Sequence, residues 1–313
     1  IYIAASVACA LSSVIYQLIL FRVLQAIGGS AASAVATAMV KDVYNGRKRE
    51  TVITLVQSTV VISPAVAPVL GAFMLTYTSW QGLFWMLSLI GVVSLVGCLL
   101  LEETICHRHA GTVMQSMRQL GTTLKNPGFA ALLVTFSMVS TASLAFISTS
   151  SYIYENRFGL SPQSYSFYFA INAIGLILGP LLYLRLSRRF SRKAIIVPCF
   201  AAMIIGGVLV CLFGSIGPLF FALTLLPASL MGSCVRPAGI CYMLEQQKEH
   251  SGAASSLINC FSLVFGSVGM FIASLDEANL ALIGVINIAV GVFCLMGWTV
   301  IGKRNLIKSA VVD

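Results

Sequence analysis

The chain has 313 residues, 58% of them hydrophobic and only 9% charged, with a mean hydropathy of +0.94. A soluble protein carries about 25% charged residues and has too little interior to hide so much apolar surface, so composition excludes a pair of water-soluble domains and makes lipid the solvent. The net charge of +9 points to nucleic acid only until the charges are placed, and the nine cysteines, scattered through apolar runs with no CxxC pair, read as small buried side chains without a disulfide framework or zinc site.

Crossing ~30 Å of hydrocarbon takes ~20 apolar residues. Ten stretches qualify, the first only in part: roughly 1–13, 18–40, 52–76, 80–101, 128–152, 164–184, 194–214, 217–242, 252–275 and 279–302. The first run opens at Ile1 with no basic flank ahead of it. A signal peptide would carry such a flank, so an N-terminal truncation is expected instead. Two connections stand out, the basic turn from Lys41 to Glu50 and the polar stretch 102–127 with His107, Arg108, His109, Arg118 and Lys125. The expected organisation is an incomplete bundle of four spans over 1–101, a cytoplasmic connecting loop over 102–127, a six-helix bundle over 128–302 and a cytoplasmic tail over 303–313.

The turns alternate in charge. One set holds Lys41, Arg47, Lys48 and Arg49, then Arg108, Arg118 and Lys125, then Arg185, Arg188, Arg189, Arg192 and Lys193, then Lys248, and finally Lys303, Arg304 and Lys308. The other set holds Arg157 alone, while Arg22 and Arg236 lie within spans. Such a split places the basic turns and the C-terminus in the cytoplasm. The positive charge is then a topology signal, and no nucleic-acid partner is expected.

An internal repeat runs beside it. The helix from Leu18 ends in Lys41-Asp42, and the helix from Pro218 ends in Leu244-Glu245; the next helices open at Thr51 and Ser251, and the last of each half near 80 and 280, an offset of 200 residues each time. Two similar halves are the plan of a large group of secondary transporters. Applied backwards, the offset leaves the helices at 128–152 and 164–184 without partners, so the intended number of spans is twelve against about ten here.

Short motifs follow in order. Leu20-Phe21-Arg22-Val23-Leu24-Gln25-Ala26-Ile27-Gly28 is similar to "LxRxxQGxG", and Val40-Lys41-Asp42-Val43-Tyr44 to "VRDLY". Ser63-Pro64-Ala65-Val66-Ala67-Pro68-Val69-Leu70-Gly71-Ala72 is similar to "APxxAPxLGG", and Ser79-Trp80-Gln81-Gly82-Leu83-Phe84-Trp85 to "WRxxFW". Leu101-Glu102-Glu103-Thr104, Phe158-Gly159-Leu160-Ser161-Pro162 and Phe169-Ala170-Ile171-Asn172-Ala173 are similar to "LPET", "YGLSP" and "FALNA". With these, the chain resembles the major facilitator superfamily and, more narrowly, the Bcr/CflA-type drug:proton antiporters. Departures are Arg188 and Ser191 where the second half's "DRxGRK" has its acid and glycine, and Ala26 and Ala72 where the motifs have glycine; small-for-small exchange preserves close helix approach.

The resemblance implies an all-α integral membrane bundle that works by alternating access. It implies proton-coupled export of small amphipathic drugs or toxic compounds across the bacterial inner membrane, with no cofactor beyond the proton gradient. The partners are then the lipid bilayer, drug-like small molecules and protons, the protein is monomeric, and it is not an enzyme. Alternatives are a metabolite exporter or importer of the same fold, or a non-transporting receptor or scaffold if the truncation is real.

Candidate residues follow. Arg22 lies about one turn inside an apolar helix, where an arginine costs roughly 2.5–3.5 kcal/mol on insertion scales. It either faces a cavity or partner, with Gln25 one turn along the same face, or snorkels to the interface. In the family this arginine serves proton coupling and substrate contact. Pro64 and Pro68 each remove a helix hydrogen bond and predict a bend, and Gly71 admits a close neighbour; the resemblance makes them an antiporter motif that seals and hinges the outer path. Asp42 with Arg47, Lys48 and Arg49 forms either a cytoplasmic gate or a solvated helix end. Arg236 snorkels or lines the inner vestibule. Ser148, Tyr152, Asn172 and Asn259 are pathway candidates, although the two amides serve equally well as glue between helices. Phe146, Tyr168, Phe169 and Phe261 are candidate aromatic walls. Cys106, His107 and His109 are too close together in one loop to surround an ion, and no metal is expected.

Overall fold

A backbone inside hydrocarbon must satisfy its own N–H and C=O groups, and the helix does so locally. The computed structural model describes residues 1–75, 77–100, 113–247, 251–304 and 306, with the backbone alone at some helix positions, among them Asp42, Pro64 and Pro68. Among the described residues every regular element is helical: α1 (Tyr2–Ala10), α2 (Ile15–Val43), α3 (Gly46–Leu75), α4 (Trp80–Leu99), α5 (Val113–Leu124), α6 (Pro127–Ser137), α7 (Val139–Ser151), α8 (Pro162–Leu186), α9 (Arg192–Phe213), α10 (Pro218–Glu245), α11 (Ser251–Ser274) and α12 (Leu280–Lys303). A π turn (Tyr152–Arg157) follows α7, and a 3-10 turn (Gly214–Ile216) follows α9.

Among the described residues, eight segments are long and apolar enough to cross a membrane, α6, α7 and the π turn acting as one. The expected count of ten is not matched. The segment at 1–13 forms α1, only nine residues long, against the ~20 a span needs. The segment at 52–76 lies in α3, many of whose side chains are outside the described residues. The stretch 102–127 is not all loop either: α5 occupies its second part. Leu120 and Leu124, four positions apart, lie on one face of it, and α5 packs on α6 and α11.

Helix starts follow capping chemistry. Asn126, Ser161, Ser191 and Asn279 each accept backbone N–H bonds from the first turns of α6, α8, α9 and α12, and Pro127 and Pro162 occupy first-turn positions, where a missing N–H costs nothing. The Ser191 cap sets Arg192 at the first position of α9.

The chain divides into two compact units, one of Ile1–Val43 with Val66–Ala110 and one of Tyr44–Ala65 with Gly111–Asp313. In the first, α1 packs on both α2 and α4. A Cβ added to Gly28 would come 2.6 Å from the Tyr2 backbone nitrogen, and one on Gly91 would come 2.9 Å from Ile3 Cγ1, so small residues set these crossings. In the second, α8 pairs with α10, α9 with α12 and α10, and α7 with α11. Gly207 and Gly284 bring α9 and α12 together, a Cβ on Gly207 meeting the Gly284 carbonyl at 2.6 Å. The core of this unit includes Phe129, Leu132, Leu133, Phe200 and Phe221, all fully buried.

Candidate functional site

Arg22 stands in the second turn of α2, seven positions after Ile15. Its Nη1 donates to Gln25 Oε1 at 2.8 Å, Gln25 Nε2 donates to Ser6 Oγ at 2.7 Å, and the Ser6 hydroxyl donates to the Tyr2 carbonyl at 2.8 Å. The guanidinium lies 5.7 Å from the centre of the Phe84 ring on α4. Gln25 is buried at 4% exposure, whereas Arg22 is exposed. The amide is thus a spacer fixed to α1, and it aims a cation whose described partners are all neutral. Sequence paired Arg22 with Gln25; the structure adds Ser6 and Phe84, to which no local spacing pointed.

The other candidates in this part of the chain are less engaged. Helix α3 runs unbroken from Gly46 to Leu75. The side chains of Pro64, Pro68 and Asp42 lie outside the described residues. A Cβ added to Gly71 would meet nothing within 4 Å, so no described neighbour requires a glycine there. Arg47 is exposed, and Lys48 lies 5.2 Å from the centre of the Tyr44 ring.

The densest charged site is in the second unit. At the start of α9, Arg192 Nη1 approaches Glu245 Oε1 at 2.6 Å and Arg192 Nε approaches Glu50 Oε1 at 3.3 Å. Arg49 Nη2 reaches the same Glu245 oxygen at 3.4 Å, the Tyr183 hydroxyl donates to Glu50, and Arg192 lies over the Tyr242 ring at 5.7 Å. Two guanidinium groups meet two carboxylates, and the fork of Arg192 bridges both acids in a way a lysine point charge would not. The site ties the first turns of α3 to α8, α9 and α10. In the sequence Glu50 closes a basic turn, Glu245 ends a helix and Arg192 is one positive-inside charge among many. The signal that could have found the cluster is carboxylate at two helix ends on the arginine-rich side.

The uncharged candidates separate into kinds. Asn172 is fully buried; its Nδ2 donates to the Ala222 carbonyl and its Oδ1 accepts from Ser229 Oγ, both at 3.1 Å, so it bridges α8 and α10. Ser148 donates to its own helix at Ala145. Tyr152 is 43% exposed where the helix loosens into the π turn. Asn259 Nδ2 on α11 is buried and has no hydrogen-bond partner among the described residues. Arg236 Nη2 donates to Ser140 Oγ at 2.9 Å, which turns it onto α7. A narrow pocket among Ser143, Phe146, Leu176, Met203, Ser229 and Asn287 has room for roughly one water. Phe146 stacks on Phe169 at 5.8 Å, and Tyr168 stacks on Tyr154 at 5.7 Å. Among these aromatics Phe146 and Phe169 are core, and Phe261 touches Phe265. Cys106, His107 and His109 lie outside the described residues.

Comparison with known proteins adds a family. The family model described as Major Facilitator Superfamily matches residues 1–273. The chain is 27% identical over 293 residues to the "Uncharacterized MFS-type transporter YdgK" of Bacillus subtilis, covering 91% of this chain and 73% of that one. It is 28% identical over 174 residues to the multidrug resistance protein MdtL of Escherichia coli, covering 55% of this chain and 44% of that protein. Among solved structures, the proton:xylose symporter XylE matches with a TM-score of 0.71 at 13% identity, over 96% of this chain and 77% of the symporter; at that identity the likeness shows the fold.

Proposed function

Because the chain belongs to the Major Facilitator Superfamily, we propose that it is a proton-coupled secondary transporter exporting small amphipathic, drug-like compounds across the bacterial inner membrane. The observation that carries this reading is Arg22, a guanidinium in a candidate membrane span held by a neutral amide and an aromatic ring. A fixed cation favours the ionised form of a carboxyl group that comes beside it and attracts acceptor atoms on a substrate. Gln25 and Ser6 fix its direction, so the group is already oriented when its charged or polar partner arrives. Kinship with a multidrug resistance protein supports the drug class.

The basic turns and the C-terminus face the cytoplasm in this reading, by the excess of Lys and Arg on that side. The cluster of Arg49, Glu50, Arg192 and Glu245 then acts as the cytoplasmic latch, in the basic turn where Arg47 and Asp42 already suggested a gate. It favours one access state, and proton and substrate shift the balance by binding the two states unequally. No bond in the substrate is made or broken, and the proton gradient supplies the energy.

The test is transport by the purified chain in proteoliposomes. Vesicles with an acidic lumen should accumulate ethidium while losing protons, and a protonophore should abolish both. Accumulation that ignores the pH gradient would overturn the coupling, and dye binding without any proton movement would mark a receptor.

A further inference from the structure

Helix α8 carries an exposed apolar line. Phe167, Ile174, Leu178 and Leu181 are 66, 54, 49 and 40% exposed, and their spacing of three, four and seven keeps them on one face. The next position on that line is Arg185, in the last turn. Beyond it the backbone folds back, the N–H groups of Arg189 and Phe190 both donating to the Leu186 carbonyl at 2.9 Å. That turn gathers Leu182, Arg185, Leu186, Arg188, Arg189 and Phe190 around a cavity of about 490 Å³.

The charges of this cavity are unspent. Arg192, a few residues on, is committed to Glu50 and Glu245, but Arg185, Arg188 and Arg189 make no ion pair among the described residues and are exposed. A helix C-terminus favours cations through about half an elementary charge, less than three guanidinium groups supply. We propose that this groove binds an anionic phospholipid, its phosphate held by Arg185, Arg188 and Arg189 and one acyl chain laid along the α8 line. Ile174 and Arg185 are eleven positions apart, ~16 Å along the helix axis, close to the ~15 Å depth of one hydrocarbon leaflet. The lipid, and not free phosphate, is the occupant because Leu182, Leu186 and Phe190 give the cavity an apolar wall continuous with that line. Such a site would couple the composition of the bilayer to the segment that carries Arg192.

Native mass spectrometry of the full chain tests this with phosphatidylglycerol and phosphatidylcholine of identical acyl chains. Each arginine at an anionic surface contributes roughly fivefold. Wild type should retain phosphatidylglycerol preferentially, and R185Q/R188Q/R189Q should lose on the order of a hundredfold in that affinity. K303Q/R304Q, which removes charge from another helix end, should leave it unchanged, and inorganic phosphate should not displace the lipid. Wild-type retention by the triple variant, equal retention of phosphatidylcholine, equal loss in K303Q/R304Q, or displacement by phosphate would each overturn the assignment. Should the triple variant fail to fold, R189Q alone is read for a fivefold loss, and no loss overturns it.

Discussion

Arg22 and Arg192 are both arginines on helices of a membrane protein, and their surroundings treat them in opposite ways. Arg192 lies between two carboxylates, with a third contact to an aromatic face. Arg22 has an amide and a ring and stays exposed. A paired cation holds helices in one arrangement, because breaking a desolvated pair leaves charges stranded. A cation with neutral partners keeps its charge available to whatever enters. In the proposed reading the same side chain serves as a fastening in one unit and as a poised electrostatic group in the other.

That contrast can be broken by substitution. The largest loss of stability is expected for Arg192→Ala, which among the described residues leaves Glu50 only the Tyr183 hydroxyl and Glu245 only Arg49; about 3 kcal/mol should appear as a lower unfolding midpoint in detergent, and an unchanged midpoint would deny that the cluster fastens anything. Tyr183→Phe removes a buried hydroxyl from Glu50 and should cost about 2 kcal/mol in the same melt. Gln25→Leu unlinks Arg22 from Ser6; a cost of about 1 kcal/mol should accompany a clear fall in dye transport, and full transport would show that Arg22 needs no positioning. Ser229→Ala is smallest, about 1 kcal/mol or less, with transport unchanged if Asn172 only joins α8 to α10.

The sequence announces the helices because hydropathy is local: α8, α9, α10, α11 and α12 each begin and end within a few residues of the expected bounds. It also exposes Arg22, since a charge in an apolar run is conspicuous by itself. What it hides is pairing across the chain. Glu50 and Tyr183 are 133 positions apart, and nothing near either residue signals the other. Asn172 shows the same limit: an amide in a span must find a partner, but only packing decides that the partners are Ala222 and Ser229. The break between α6 and α7 at Met138, and the π turn after Ser151, are likewise invisible to a pattern that asks only whether a stretch is apolar enough to span. Amphipathic α5 escaped because a search for long spans passes over a twelve-residue helix.

The most direct measurement compares wild type with Arg22→Gln in proteoliposomes under an imposed pH gradient, with the unfolding midpoint recorded on the same preparations. The expected result is loss of gradient-driven ethidium accumulation in the variant, with a midpoint shifted by no more than about 0.5 kcal/mol. Wild-type accumulation in Arg22→Gln, or a collapse in stability as deep as that of Arg192→Ala, would contradict the account.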